Sequence, residues 1–540
     1  VFRLTVSLSL VLGLGALSGG LILPCPLAAA PDGPAAPAAA ADDGATDWNN
    51  RWDKTFKDAA KEYVKLSKQY ESQLEKSSAF VRWRVLQYLP DDPETRAFLG
   101  YIKAKQADGK DGWERNDIVH DKLKEMTDLA DPKATKFGKD SAETDKRVAN
   151  WFKGLALKAT ECGAAKGALP ESKWAEKAAR AWERVLMVDD SAGNKLAEDA
   201  HKALGHPQFD KKYVSPFKLK FLKARADRKA AAQKLHDFVV KPCDECPIDG
   251  KFVAAGLTGA AAKTTNMVVL TTAGKDQALQ LAADCERSYN DLVETYGFPE
   301  SVKERSGIKR INVVKDATEF RKFLTKGEAW TDAQVNKYTD HGMGGTNIPG
   351  EFIETAPGGA VAEDAAMNIT ATFAVQGAQN VARADVGNTG KSAEEKVEDW
   401  LVGSIGTDIT QRLLGTKLLH WGAFGKYGDE VNARPGEDKW IELARTMVLS
   451  DEDVALSRLP KLKLDNQDIK GPETVKGWAF IQFLFEKDTE KAKKFVWQAI
   501  ANGTPSAVLA VYPNEESAPD IEKSMEALDE EYRQWIVKAW

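Results

Sequence analysis

Histidine is scarce in this chain: there are six among 540 residues, and none stands in a Ser-His-Asp or Cys-His context that would make a nucleophile. An excess of charge is missing as well. Lys and Arg number 75 against 81 Asp and Glu, for a net charge of −6, which excludes the concentrated basic footprint of a nucleic-acid binder. Beyond the first thirty residues no stretch is apolar over the length a bilayer requires. Cysteines number five, too few for a disulfide-built scaffold of this length. What remains is an ordinary globular composition, 43% hydrophobic and 29% charged, in a chain long enough for two or more domains.

The opening, VFRLTVSLSLVLGLGALSGGLILPCPLAAA, holds one basic residue, Arg3, a long apolar run and small residues at Ala28–Ala30. That pattern predicts a signal peptide over 1–30 and an exported protein, periplasmic or extracellular. The run is also near bilayer length, so an uncleaved N-terminal membrane anchor is the alternative. Pro24 stands where a small residue should precede a lipid-modified Cys25, which argues against lipidation. An Ala/Pro-rich segment follows, and 31–47 is expected to be a disordered linker.

From 48 to 240 the pattern is helical. Phe56, Ala60, Tyr63, Tyr70 and Leu74 mark one apolar stripe. WRVLQYLPDDPETRAFLGY (83–101) and WERVLMVDDSAGNKLAEDAHKALGH (182–206) share a helix, an acidic turn and a second helix closing on Leu-Gly. Asp92 before Pro93 is a suitable N-cap, and Gly100 and Gly205 fall where C-caps belong. The layout is similar to tetratricopeptide-like helical hairpins, and a plain helical packing domain is the alternative. In the basic stretch 211–234 lysines alternate with Phe217, Leu219 and Leu222. It reads as the solvated face of an amphipathic helix, with a phosphate- or membrane-binding strip as the other reading. Residues 241–265 form a linker carrying KPCDECP. There Cys243 and Cys246 allow a local disulfide, pairing to Cys162 or Cys285, or redox chemistry.

From 266 onward the periodicity changes. NMVVLTT (266–272) and IKRINVV (308–314) predict strands. A helix between them keeps Ala278, Leu281, Cys285, Tyr289, Leu292 and Tyr296 on one face and stops at Gly297. Cys285 therefore reads as a packed thiol. ATEFRKFLTKG (317–327) predicts a short helix, and HGMGGTNIPGEF (341–352) a Gly-rich loop. The fold class expected is mainly α, with an α+β second domain over 266–540: a small sheet and a helical second lobe.

This order resembles the peptidase-MA-like, gluzincin-type metallopeptidase domains of secreted bacterial proteins. The resemblance rests on the strand, the helix ending Tyr-Gly, the strand with its Ala-x-x-Phe helix, and the helix beginning Trp-Leu. It extends through GPETVKGWAFIQFLFEKDTEKAKKFVWQAIANG (471–503) and LDEEYRQWIVKAW (528–540). It implies a zincin fold in which HExxH places two His ligands and a Glu base on one helix, with a third ligand, Glu, on a later helix.

Every one of those positions is altered here. The stretch matching HExxH reads QGAQN, so Gln376 and Asn380 stand for the His ligands and Gly377 for the base. In WLVGS, Gly403 stands for the third ligand. Amides are poor zinc ligands and glycine supplies no donor. Asp399 lies one turn before Gly403, beside Trp400, and both are cleft candidates. His341 and His420 show no ligand spacing. GNTGKS (387–392) ends like a P-loop, but Asp385 occupies the place of its first glycine. No metal or cofactor is expected, nor is a nucleic-acid partner. The resemblance and its losses together imply a pseudoenzyme, a metallopeptidase-like scaffold that binds a protein or peptide partner. The alternatives are a structural envelope protein acting through its helical repeats, and a hydrolase using an unrecognised set of groups.

Overall fold

The structure, a computed structural model, describes residues 43–105, 111–116, 136–164, 170–190, 194–237, 248–302, 310–339, 345–348, 351–355, 370–372, 374–387, 396–414, 437–449, 453–463, 471–515 and 517–539. It is mostly helical with a few small sheets. The signal segment with Cys25, the pair Cys243 and Cys246, and both His341 and His420 lie outside the described residues.

The chain enters through helix α1 (Asp43–Tyr70), which opens inside the stretch expected as linker. The reason is local. Trp48 and Trp52 are buried one turn apart with ring centroids 5.0 Å from each other, and Asp47 pairs with Arg51 across the same turn. Packing of this kind outweighs the end-fraying a helix start would otherwise show. Helices α2 (Glu75–Leu86) and α3 (Pro93–Phe98) follow. Asp92 caps α3 by accepting from the Thr95 amide, and Gly100 leaves it at φ 84°. The all-helical expectation fails next: β1 (Tyr101–Lys105) and β2 (Asp111–Arg115) form an antiparallel hairpin. Helices α4 (Lys136–Ala164), α5 (Glu171–Val188) and α6 (Lys195–Ala203) complete one core. In it Trp52, Tyr63, Tyr88, Phe152, Trp174 and Val185 are buried together.

A two-strand connector, β3 (Gln208–Phe209) with β4 (Lys212–Tyr213), leads into α7 (Pro216–Asp237). The expected N-terminal domain includes this helix, but its buried residues Phe221, Ala232 and Leu235 belong to the second core. Between Phe221 and Ala232, at three- and four-residue steps, the inward positions are Arg225 and Arg228. Only part of the basic stretch is therefore a solvated face.

Helix α8 (Gly250–Ala254) and strand β5 (Ala260–Lys263) lie in what was expected as linker. A five-stranded sheet follows from β6 (Val268–Thr271), β7 (Arg310–Val314), β8 (Gly345–Ile348) and β9 (Glu351–Thr355), in the order β5-β6-β7-β9-β8. The Gly-rich segment expected as a loop thus supplies a strand pair. The inner strands β6, β7 and β9 are parallel, in the register Val269↔Ile311↔Phe352, and both edge strands run antiparallel. The crossover from β6 to β7 is helix α9 (Lys275–Glu294). Alternate side chains face opposite layers. Ala262, Val269, Ile311 and Val313 join α9 in the large core. Ala261, Leu270 and Val314 meet Phe252, Phe320, Phe323 and Val335, from α8, α10 (Ala317–Lys322) with the turn after it, and α11 (Asp332–Thr339).

The rest is helical: 370–372 and 374–377, α12 (Gln379–Asp385), α13 (Asp399–Leu414), α14 (Glu437–Leu449), α15 (Gly471–Lys487), α16 (Thr489–Asn502), α17 (Thr504–Val511) and α18 (Ile521–Lys538). Helix α15 is buried nearly all round, as a helix surrounded by others is, with Trp478, Phe480, Phe483 and Phe485 inside this lobe. No described helix is long and apolar enough to cross a membrane.

Candidate functional site

Helical turns run from 374 through α12, linked across Ala378, whose amide donates to the Ala374 carbonyl at 3.0 Å. Ala374, Val375, Ala378 and Ala382 are buried in the same core as Trp400, Leu401, Val402 and Ile405 of α13. Gln376 and Asn380, one turn apart, are exposed on the other face, and Gly377 is half-buried between them. Gln376 and Asn380 therefore share the solvent side of one helix, with Gly377 at its margin. Gly403 is half-buried on α13, and nothing lies within 4 Å of the point a Cβ would occupy.

The cleft candidates beside it have structural duties. Trp400 is buried and its indole N–H donates to Glu398 Oε2 at 2.8 Å. Glu398 in turn caps α17, accepting from the Thr504 amide at 3.0 Å and from its hydroxyl. Asp399 is half-buried and engaged with neighbours. Gly477 of α15 lets α13 approach closely, because a Cβ there would collide with Ser404 Oγ. Cys162 and Cys285 are both thiols. Cys285 is fully buried, and burial pushes its thiol up to about 12, with a hydrogen bond to Thr370 opposing, so it is inert rather than nucleophilic.

Sequence reasoning missed a charged cluster at the centre of the second lobe. Asp408 of α13, fully buried, accepts from Arg228 Nη2 at 2.9 Å, Arg412 Nε at 2.9 Å and Tyr296 Oη at 2.5 Å, and also from Gln482. Arg412 forks onto Asp291, and Arg228 reaches Gln482 at 2.6 Å. Arg225 forks onto Glu486 at 2.7 and 2.9 Å, and Trp535 donates to the same carboxylate at 2.9 Å. Three cations meet three anions, which is what burial of charge requires. Burial alone would raise the Asp408 carboxyl, but Arg228 and Arg412 beside it, with the bonds from Tyr296 and Arg412, hold it below the usual aspartate range. For Glu486 the balance falls the other way: burial outweighs Arg225 and raises it. The spacing of Asp408 and Arg412, one turn apart inside an apolar helix, is the signal that could have found the cluster.

A second buried charge, Lys476 of α15, lies 2.6 Å from Asp453 and 2.7 Å from Asp529, over the Tyr532 ring at 3.7 Å. Burial pushes the Asp453 carboxyl up despite Lys476, and its Oδ1 is buried with no hydrogen-bond partner. Both clusters are ion pairs inside the core, and their geometry is that of scaffolding. Among the described residues no three His, Cys, Asp or Glu side chains converge to hold a metal ion.

Comparison with family models, with curated proteins and with solved structures finds no match to this chain.

Proposed function

We propose that the chain is an exported, catalytically silent counterpart of gluzincin-type peptidases that binds a protein or peptide segment. Catalysis of that kind starts with a metal lowering the pKa of bound water and a carboxylate taking its proton. The side chains at Gln376, Gly377, Asn380 and Gly403 supply neither. One observation carries the reading: the two amides stand a helical turn apart on the solvent side of a helix whose other face is locked into the core. That geometry would serve a ligand pair if the chemistry were present. The order of sheet, helix and second lobe supports it, as does the room above Gly403. Binding has a physical basis at the sheet's end. Strand β8 is an edge strand among the described residues, and such an edge offers unpaired backbone groups to an extended peptide.

The test restores what is missing. The quadruple variant Gln376→His, Gly377→Glu, Asn380→His, Gly403→Glu is expected to retain about one zinc per chain after dialysis, while the unmodified chain retains none. Elemental analysis of both proteins, with circular dichroism to check folding, decides it. A folded variant that holds no zinc would show that these positions do not converge. Stoichiometric zinc and peptide cleavage in the unmodified chain would end the silent-enzyme reading.

A further inference from the structure

The connector between the two cores carries three titratable groups in a row. His201, buried on α6, has its Nε2 2.6 Å from Asp190 Oδ1 and its Nδ1 2.7 Å from Nδ1 of His206. His206 follows Gly205, whose φ of 65° turns the chain out of α6. The His206 amide is also tied back to the His201 carbonyl at 3.0 Å. After Pro207 comes the β3–β4 hairpin, with two non-glycine residues at positive φ, Asp210 at 48° and Lys211 at 63°. That conformation costs energy and persists only where its surroundings hold it.

Proton counting shows what the row tolerates. A carboxylate only accepts, so His201 Nε2 donates to Asp190. One proton must then lie between the two Nδ1 atoms. A further proton can go to His206 Nε2 without breaking the row. The next one cannot be placed: both rings would be imidazolium, with two N–H groups aimed at each other across 2.7 Å. Of the neighbouring groups, His201 opposes charge on His206 and Asp190 favours it. Lys218 on α7 has Asp190 near it, but also Arg445 of α14, Arg225 of α7 and Lys212 of β4. Of the other charges on α6, Lys202 pairs with Glu198 and Asp199 with Lys153, and Lys195 also lies near Asp199.

We propose that Asp190, His201 and His206 form an acid-sensitive latch, which holds the connector at 205–215 closed near neutral pH and releases it when both rings are protonated. Burial, then the neighbouring His201, lowers the His206 pKa, so release falls on the acid side of the ordinary histidine value of about 6.5.

Limited proteolysis of the full chain, mapped by mass spectrometry, tests the proposal. Cleavage within 205–215 is expected to rise about tenfold between about pH 7.5 and about pH 5. In His206→Asn, whose amide can donate to His201 without titrating, the rate should stay flat. A flat wild-type rate, or the same acid rise in the variant, overturns the latch. Should the variant fail to fold, nitrogen NMR of histidine-labelled wild-type chain decides. The latch requires the Nε2–H tautomer at His201 and the Nδ1–H tautomer at His206 near neutrality, with coupled titration. Two independently titrating Nε2–H rings refute it.

Discussion

Asp408→Asn is the most informative single change in the second lobe. The carboxylate accepts four hydrogen bonds, two of them from guanidinium groups. Arg412 keeps its fork on Asp291 in the variant, so it remains neutralised. Arg228, about 9% exposed, loses its carboxylate partner and keeps only neutral ones, amide oxygens and the Phe485 ring at 4.7 Å. One uncompensated buried cation costs about 3–5 kcal/mol, and the weakened bonds from Tyr296 and Gln482 lie within that range. Urea denaturation followed by tryptophan fluorescence reads the loss, because Trp440, Trp478 and Trp535 are buried in this lobe. Adding Arg228→Met removes the stranded cation, so the double variant should recover about 1–3 kcal/mol relative to the sum of the singles. The pH dependence has a definite sign. A depressed carboxyl contributes stability that is present above its unfolded value, about 3.9, and is lost as pH falls through the folded value below it. The wild-type lobe should therefore lose stability in strong acid by a step that Asp408→Asn lacks. A loss under about 1 kcal/mol in the single variant, or an additive cycle, would refute the claim that the cluster holds compensated charge.

Two further changes probe the packing around α15. Lys476→Met leaves Asp453 and Asp529 facing each other in the core and should cost about 3–5 kcal/mol near neutrality. The cost should shrink as pH falls, because Asp453, already raised by burial, then takes up a proton; an equal cost at neutrality and in acid in urea melts would contradict this. Gly477→Ala drives a methyl group into Ser404 and should cost about 1–3 kcal/mol. Ser404→Ala removes the colliding oxygen, so thermal melts of the double variant should recover most of the loss, and no recovery would place the strain elsewhere.

The sequence was most readable where structure depends on neighbours in the chain. Ala278, Leu281, Cys285, Tyr289, Leu292 and Tyr296, expected on one face of α9, are all buried. Asp92 caps α3 because the cap is chemistry within four residues. Strands β6 and β7 announced themselves by β-branched runs. Strand β5 did not, because Ala-Ala-Ala-Lys has little strand preference of its own and is made a strand by pairing with β6. Strands β8 and β9 were hidden in the same way by glycines. Of the site, the absence of imidazole or carboxylate side chains at Gln376, Gly377, Asn380 and Gly403 could be read from residue identity. Solvent exposure on one helix face could not, since it depends on which side of 374–385 the core claims.

Arg225 and Arg228 show why the division of the chain was the harder part to read. A hydrophobic-periodicity argument treats arginine as outward-facing, which on α7 leaves only Phe221, Ala232 and Leu235, too sparse a stripe to assign the helix to a core. Once Asp408, Gln482 and Glu486 are present on α13 and α15, the two arginines become inward positions, and the stripe runs unbroken from Phe221 to Leu235. The partners lie about 180 to 260 residues away in sequence, so no local window contains the cause. Charge pairing thus fixes α7 in the second core. The passage from one core to the other then falls on the short connector of Gly205, His206 and the β3–β4 hairpin. A row of three ionisable groups at that point matters more than the same row would on an ordinary surface loop, because the chain passes there from one core to the other.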